Sequence, residues 1–537
     1  MLGRLRTRLR REKREAPLTE VNYTKEHVAL AKTIARRRRL VGLFWRHLSL
    51  IRFTLAALGV IGLLALPHPA LWKSTYIDEH AIQPAQVNLQ YDWANVHSAD
   101  RYLGDLERLV ASNASQEVRS EYLQEMFSKA GLDTGNTTSS TWAHVTPPRS
   151  AGIEVILLAA NWESREGGPN LRGVAMLLSL GEFLRGQNHW AFDIVLVVGE
   201  GYVHGLEGFM REYYDLFPGL IWTALNVDYP GHSFEHIGLF YEGVNGRLPN
   251  QDVVNSVAHI SRWAGGVDTR LHDIPNVPVQ IPALFGTFLQ QYIGEYLLAA
   301  RHLIAHAGYM AFGRLSGAHG VLARHRIDSL TLYCPNATGP HGFHSLGRTI
   351  ESSLRSFNNL LERLHASYFF YLLPLPGKFI PVGHYLPSAI LMGASVTLGG
   401  FDIPDPVSGF IYLVPPVLIA ALSWVLQSPL VSFLGLLVPR PQGDAKRSMK
   451  SMAHLGFGAI IPTLAMVNFP QAILLALVTF TLLAPYRLVR IFGMALHPYL
   501  LEKLGVDLQH EWEVIGNLTW VGVFALWVPL SVVSMMI

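Results

Sequence analysis

The sequence is poor in cysteine and in charged residues. Its 537 residues include one cysteine, Cys334, so no disulfide can form within the chain. Only 15% of the residues are charged and 50% are apolar, a balance typical of membrane proteins. The formal net charge of +3 is nearly balanced, which gives no indication of nucleic acid as a partner. The chain is also too long for one hydrophobic core, so we expect two or three structural blocks.

Two common catalytic signatures are missing as well. The sequence contains neither a phosphate-binding glycine loop nor a Gly-x-Ser-x-Gly elbow. Cys334 could pair with His341 or His344 as a thiol and an imidazole, but a lone cysteine among 23 histidines is more often inert. Nucleophilic catalysis by this chain is therefore not indicated.

Basic residues are concentrated ahead of the first apolar run. Segment 1–50 carries Arg36 to Arg39 and many further arginines and lysines, and the apolar segment 51–72 follows it. Such a block predicts a cytoplasmic N-terminus, with an arginine-rich RNA-binding or import signal as the alternative. Because the span ends near Pro67 without a small-residue cleavage site, we expect an uncleaved signal-anchor helix and a luminal domain after it.

Segment 73–365 lacks a long apolar run and has the pattern of an α/β domain. Within Asp193–Tyr229, an apolar run ends at Gly199-Glu200, a helical pattern follows, and a second run ends in Asp228. This strand, helix, strand order is the right-handed crossover of a parallel sheet. Further strands are predicted at 154–159, 237–241 and 329–333, and further helices at 115–130, 174–184, 252–263 and 285–305. We therefore predict one large α/β domain, with a mostly parallel sheet and helices on both faces.

Three sequons, at Asn113, Asn136 and Asn336, lie in this α/β segment and are predicted glycosylation sites. A fourth, at Asn22, lies on the side predicted to be cytoplasmic, which shows how little one sequon proves.

Segment 366–537 is predicted to be a multi-span α-helical membrane domain. Candidate spans are 379–399, 409–438, 453–469, 471–486 and 514–537. The second is too long for one straight crossing and contains Pro415, Pro416 and Pro429, so it is expected to form two crossings or a re-entrant hairpin. In total we expect about six to eight spans.

Polar residues at the ends of predicted strands form the best candidate site. Glu200 and Asp228 follow neighbouring strands, and carboxyl ends of parallel strands meet at one edge of a sheet. Together with Glu163 and His319, their spacing is similar to that of the co-catalytic zinc aminopeptidases. In those enzymes a His-x-Asp, a bridging Asp, a Glu pair, a further Asp and a distant His hold two metal ions.

This sequence departs from that pattern. Asn161 stands where the first His is expected, Pro169 falls near the bridging Asp, and one Glu stands where a pair is needed. Two bound metals are therefore not expected. The alternatives left open are one Zn²⁺ on Glu163, Glu200, Asp228 and His319, or a peptidase-like fold that needs no cofactor, which is favoured.

Several stretches together resemble one family. They are Thr75-Tyr-Ile-Asp-Glu-His-Ala, Trp190-Ala-Phe-Asp-Ile-Val-Leu-Val, Tyr241-Glu-Gly-Val-Asn-Gly-Arg-Leu-Pro-Asn-Gln-Asp, Gly317-Ala-His-Gly and Asn359-Leu-Leu-Glu-Arg-Leu-His-Ala-Ser-Tyr-Phe-Phe-Tyr-Leu-Leu-Pro. From about residue 50 onward, the chain resembles the attachment subunits of the glycosylphosphatidylinositol (GPI) transamidase. The stretch from Tyr241 is the most specific, because no common fold requires it.

The resemblance implies a multi-pass protein of the endoplasmic reticulum membrane with an aminopeptidase-like luminal domain. It implies a non-catalytic subunit that helps present the GPI lipid and proproteins with GPI signals, beside a caspase-like catalytic subunit and other membrane subunits. It also implies a role in GPI binding for the last span, where the matching position is Pro529. A proline in a span kinks the helix and frees a carbonyl group.

Two other functions remain open at this stage. An active membrane-anchored zinc aminopeptidase would depend on Asp228 and His319. A lipid or solute transporter would be expected to carry ionisable groups within its spans, whereas here such groups concentrate between them.

Overall fold

The computed structural model describes residues 25–75, 90–280, 287–358, 370–495 and 508–537. The chain divides after Thr54 into two compact units. An α-helix, Lys25–Ala65 (α1), contains the predicted anchor but starts well before it and ends before Pro67. The helix stops there because a proline disfavours helical geometry in the residue before it and has no N–H to donate.

Eleven described strands belong to two sheets. They are β1 Lys73–Ser74, β2 Asp133–Asn136, β3 Ser140–Val145, β4 Glu154–Asn161, β5 Asp193–Gly199, β6 Leu220–Asp228, β7 His236–Phe240, β8 Asp268–Leu271, β9 Asp328–Tyr333, β10 Tyr371–Leu375 and β11 Lys378–Pro381. The larger sheet has the order β2-β3-β5-β4-β6-β9-β7-β8. Its four central strands are parallel, whereas β3 and the β7–β8 pair run the opposite way. The predicted α/β fold class is confirmed, although β2, β3 and β8 were not predicted.

The described helices after α1 alternate with these strands and then follow one another towards the C-terminus. They are α2 Trp93–Ala111, α3 Gln116–Lys129, α4 Leu171–Arg185, α5 His204–Leu216, α6 Gln251–Ile260, α7 Thr287–Met310, α8 Gly320–Arg324, α9 Phe343–Asn358, α10 Val382–Thr397, α11 Pro406–Val425, α12 Gly443–Val467, α13 Phe469–Leu482, α14 Arg487–Met494, α15 Leu508–Ile515 and α16 Thr519–Met536.

Helices cover both faces of the sheet because its central strands are apolar on both sides. In β5, Ile194, Leu196 and Val198 face a core shared with α2, α4 and α9. The alternate residues Val195 and Val197 face a second core shared with α5 and α8. Alternate residues of a strand point to opposite faces, so an unbroken apolar run produces this double burial.

Four described helices are long and apolar enough to cross a membrane: residues Ala29–Ala65, α11, α12 and α16. The shorter apolar helix α13 overlaps the predicted span 471–486 but begins two residues before it. The predicted span 409–438 is not one straight helix, because a 3₁₀ segment, Pro429–Leu437, follows α11. The predicted span 379–399 begins as β11, and only its continuation is helical.

Small residues let these apolar helices approach closely. A Cβ atom on Gly59 would lie 2.6 Å from the Met392 side chain, and one on Gly458 would lie 2.5 Å from the backbone nitrogen of Thr397. Close packing at small residues is the usual way in which helices associate in lipid.

Candidate functional site

Glu200 lies just beyond β5 at the carboxyl edge of the sheet, as predicted, but its charge is already paired. Arg119 of α3 donates to its carboxylate at 2.7 Å, and the same guanidinium stacks on the Trp162 ring at 4.8 Å from its centre. Burial raises the pKa of Glu200, and the arginine opposes that rise.

Asp228 ends β6 on the same edge and is 1% exposed. Its Oδ2 accepts the backbone N–H of Arg165 at 3.0 Å, and its Oδ1 has no partner among the described residues. Burial raises its pKa to about 6, although hydrogen bonds from Arg165 and Ser164 oppose the shift.

The other two predicted ligands lie in different surroundings. Glu163 is exposed, whereas His319 is fully buried with its Nδ1 at 2.9 Å from the Thr331 hydroxyl. Burial lowers the pKa of His319 to about 4. Within the described ranges, no three His, Cys, Asp or Glu side chains come together in an arrangement that could hold a metal ion. Glu163, Glu200, Asp228 and His319 therefore do not form one ligand set.

Amide side chains lie at or beside the positions where the aminopeptidase pattern calls for metal ligands. Asn161 donates to Asn226 at 3.3 Å, and Asn226 donates in turn to the Thr331 hydroxyl at 3.3 Å. Asn170 donates to the backbone oxygens of Asn161 and Val227, at 2.9 and 3.0 Å. These residues join β4, β6 and β9 at the edge of the sheet.

Arginines supply the positive charge at this edge. Arg119 pairs with Glu200, and the guanidinium of Arg165 lowers the pKa of Asp228 while stacking on the Phe240 ring at 3.6 Å. A divalent cation here would lie near two permanent cations and would compete with them for the same carboxylates. The donor set therefore fits structural ion pairing better than Zn²⁺ binding.

The thiol and imidazole alternative finds no support in the geometry. Cys334 is fully buried and its backbone N–H donates to the Asp228 carbonyl at 2.8 Å, while burial raises the pKa of its thiol. His341 lies 3.2 Å from the Ser345 hydroxyl, and His344 stacks on Trp93 at 4.7 Å between ring centres.

The remaining predicted positions are all described. Asn113, Asn136 and Asn336 are exposed, so each is accessible to glycosylation, which stays a prediction. Pro529 is half-buried in α16, two residues after a π turn at Val523–Trp527. The π turn is consistent with the position of Pro529, because a proline has no N–H to donate within the helix.

The sequence pattern gave no role to the residues of the most specific motif, yet a buried polar cluster is built on it. Glu242 is fully buried, and its Oε1 lies 2.6 Å from His272 Nε2 and 2.7 Å from His306 Nδ1. Burial alone would raise the pKa of Glu242, but the two imidazoles outweigh it and hold that pKa well below its usual value. One sequence feature could have indicated this cluster: an acidic residue, Glu242, lies in a stretch that no common fold requires.

The next residues of the motif contact the C-terminal helices. Asn245 donates to the Gly516 carbonyl at 3.1 Å and accepts the Leu518 N–H at 2.6 Å, just before α16. Gly246 has a φ of 77°, and a Cβ there would lie 2.5 Å from the side chain of Asn468, between α12 and α13. We call residues Tyr241–Asn250 the joint segment, because it connects the α/β sheet with the apolar helices.

Comparison with known proteins decides the family. Residues 137–403 match the model of the family described as Gaa1-like, GPI transamidase component. The chain belongs to this family. It is 26% identical over 494 residues to the GPI transamidase component GAA1 of Saccharomyces cerevisiae, covering 84% of this chain and 78% of that one. It is 27% identical to the GPI transamidase component gaa1 of Schizosaccharomyces pombe, covering 66% and 64% of the two chains.

Among solved structures, similarity extends to the aminopeptidase LapA of Legionella pneumophila, with a TM-score of 0.31 and 9% identity over 45% of this chain and 65% of that one. The glutaminyl cyclase of Fimbriiglobus ruber has a TM-score of 0.27 and 13% identity over 52% and 98% of the two chains.

Proposed function

We propose that this chain is a non-catalytic membrane subunit of the GPI transamidase. In this role it helps present the GPI lipid and the proprotein, so that a GPI anchor is attached to the protein's C-terminus. Membership of the Gaa1-like family supports the complex. The observation that carries the non-catalytic role is the pairing of Glu200 with Arg119 and the nearness of Arg165 to Asp228.

We further propose that the partners are a caspase-like catalytic subunit, which supplies the nucleophile, and other membrane subunits of the transamidase. The chain would lie in the endoplasmic reticulum membrane with its N-terminus cytoplasmic and its α/β domain luminal. The basic segment 1–50 and the exposed sequon residues Asn113, Asn136 and Asn336 support this orientation.

The first test is complementation. In cells that lack the chain, Glu200→Gln and Asp228→Asn variants are expected to restore surface display of a GPI-anchored reporter, because neither carboxylate takes part in chemistry. Arg119→Gln is the matched control for loss of the ion pair, since it leaves Glu200 buried without its cation. An active zinc aminopeptidase predicts the opposite outcome, with normal folding and complete loss of function in both carboxylate variants.

The second test is composition. The tagged chain, solubilised gently from microsomes, is expected to copurify with a caspase-like protease and further membrane subunits in fixed ratio and without stoichiometric zinc. A chain that purifies alone with one or two zinc ions would contradict the proposal and favour the peptidase.

A further inference from the structure

A cavity of about 750 Å³ lies where the α/β sheet meets the apolar helices. The joint segment forms one wall, the connection between α8 and β9 forms a second, and the ends of α12 and α13 form a third. The proposed function assigns nothing to this cavity. Its walls differ sharply in polarity.

The polar wall carries two arginines and one carboxylate. Arg247 donates to the carbonyls of Ala323 and Arg324, which holds its guanidinium beside the α8–β9 connection. Partial burial and the guanidinium of Arg326 together lower the pKa of Arg247. Asp328 also lines the cavity and accepts the Asn250 N–H at 3.1 Å. Two arginines against one carboxylate leave this wall with net positive charge, which suits an anionic group.

A buried histidine adds a directional group. His306 is 1% exposed, lines the cavity, and has its Nδ1 against Glu242. In the tautomer whose proton lies on Nδ1 and is donated to the carboxylate, Nε2 is an acceptor. That Nε2 has no partner in the part of the chain that the structure describes. An unpaired acceptor at this depth is unfavourable until a ligand or water donates to it.

The remaining wall is apolar and open. Phe370, Met466, Val467 and Leu518 line the cavity and are 54%, 62%, 68% and 56% exposed. Met466 and Val467 end one of the helices long and apolar enough to cross a membrane. A second cavity of about 320 Å³, bounded by α13 and α16, shares Val467 and Leu518 with the first and is lined mainly by apolar side chains. Such a rim favours hydrocarbon chains over water.

We propose that this cavity binds the headgroup of a bilayer glycerophospholipid. Its phosphate lies at Arg247 and Arg326, an ammonium or hydroxyl group of the headgroup donates to His306 Nε2, and its acyl chains lie along the apolar rim. The proposal rests on the proposed function in one respect only, which is that this face of the chain lies at the bilayer. The bound lipid is one of the surrounding membrane and is distinct from the lipid that the transamidase consumes.

The chemistry can be tested by changing the lipid rather than the protein. The full chain, purified with its partner subunits, is reconstituted with phosphatidylethanolamine, its monomethyl and dimethyl derivatives, or phosphatidylcholine, all with identical acyl chains. Retained lipid is then counted by native mass spectrometry. The first three headgroups keep at least one N–H and choline has none, so we expect about tenfold weaker retention for choline alone. Equal retention of all four would overturn the assignment of His306.

The phosphate contact is tested with the double variant Arg247→Gln/Arg326→Gln. The matched control is Arg211→Gln, an exposed arginine of α5 that pairs with Glu207 and does not line the cavity. We expect retention of phosphatidylethanolamine to fall about tenfold in the double variant and to stay unchanged in the control. Retention that is unaffected in the double variant would overturn the proposal.

A free-phosphate arm separates a lipid site from an anion site. Inorganic phosphate at millimolar concentration is expected to leave the bound lipid in place, because the apolar rim contributes to lipid affinity alone. Displacement of the lipid by phosphate would overturn the lipid assignment. Copurified transamidase subunits, counted in the same spectra, report separately on the proposed function.

Discussion

At the scale of single residues, the pKa values of two buried acidic groups are shifted in opposite directions. Burial raises the pKa of Asp228 to about 6, whereas two imidazoles hold the pKa of the buried Glu242 well below its usual value. Each group should therefore make stability depend on pH in its own direction.

Asp228→Asn should remove one pH dependence of stability. The folded pKa of about 6 lies above the ordinary value of 3.8, so the protonated carboxyl stabilises the fold at low pH and this contribution is lost as the pH rises through 6. The amide stays neutral, so the variant should be more stable by on the order of 2 to 3 kcal/mol at pH 7.5 and by only about 1 kcal/mol at pH 4.5. Thermal unfolding at both pH values measures this, with exposed Asp215→Asn as the control. An equal loss of stability at both pH values would contradict it.

Glu242→Ala should be strongly destabilising. Removing the carboxylate leaves His272 and His306 buried without their shared acceptor, and breaking a buried pair from one side costs about 3 to 5 kcal/mol. The comparison is Glu125→Ala, which removes an exposed pair with Lys129 and should cost less than about 1 kcal/mol. Chemical unfolding in detergent measures both. Similar small losses in the two variants would mean that the cluster contributes little.

At the scale of elements, the joint segment explains why its sequence is so specific. Gly246 takes a left-handed backbone conformation directly against Asn468, whose own side chain donates to the Met310 carbonyl at 2.6 Å and caps α13. One turn therefore holds α7 and α13 together with the sheet.

Gly246→Ala tests this contact against a matched glycine. Gly266 has a similar φ of 68°, but a Cβ there would meet open space. Both alanine variants carry the backbone strain, of about 1 to 2 kcal/mol, and only Gly246→Ala also displaces Asn468. We expect a clearly lower melting temperature for Gly246→Ala than for Gly266→Ala. Equal melting temperatures would show that Asn468 moves aside without loss.

Pro529→Ala should change the helix that contains it. The new N–H can donate within the helix, so the π turn at Val523–Trp527 is expected to give way to regular α-helix. Because Val523, Leu526 and Trp527 line the smaller cavity, that cavity should change shape. Hydrogen exchange at residues 523–530 is expected to slow. Pro462→Ala in α12 serves as the control and should leave exchange in that stretch unchanged.

The elements also show what the sequence could reveal. The strands from Glu154 to Asp228 were predictable because unbroken apolar runs have one physical explanation, burial on both faces. β2 and β3 were not, since Asp133–Asn136 and Ser140–Val145 mix polar and apolar residues without a clear period. Glu200 and Asp228 could be placed at one edge from topology alone. Their arginine partners could not, because Arg119 lies 81 residues from Glu200 and nothing local marks the pair.

At the scale of the whole molecule, residues 55–537 form one compact unit, although the sequence divides them into an α/β block and a membrane block. The polar contacts of Asn245 with Gly516 and Leu518 join the sheet to the chain that enters α16. Tyr371, beyond the predicted boundary at 365, donates to the Pro249 carbonyl at 3.0 Å. The joint segment is thus shared by both blocks.

This shared segment predicts that the α/β block is not independent. A fragment of residues 90–358 loses the partners of Asn245, Gly246 and Pro249, and it uncovers side chains that pack against the apolar helices. We expect the isolated fragment to bind detergent or aggregate and to unfold well below the full chain, because each unpaired buried polar group costs about 1 to 3 kcal/mol. Light scattering and thermal unfolding of the fragment and the full chain measure this. A monodisperse fragment that keeps the melting temperature of the full chain without detergent would mean that the joint segment folds on the sheet alone, and that the two blocks fold separately.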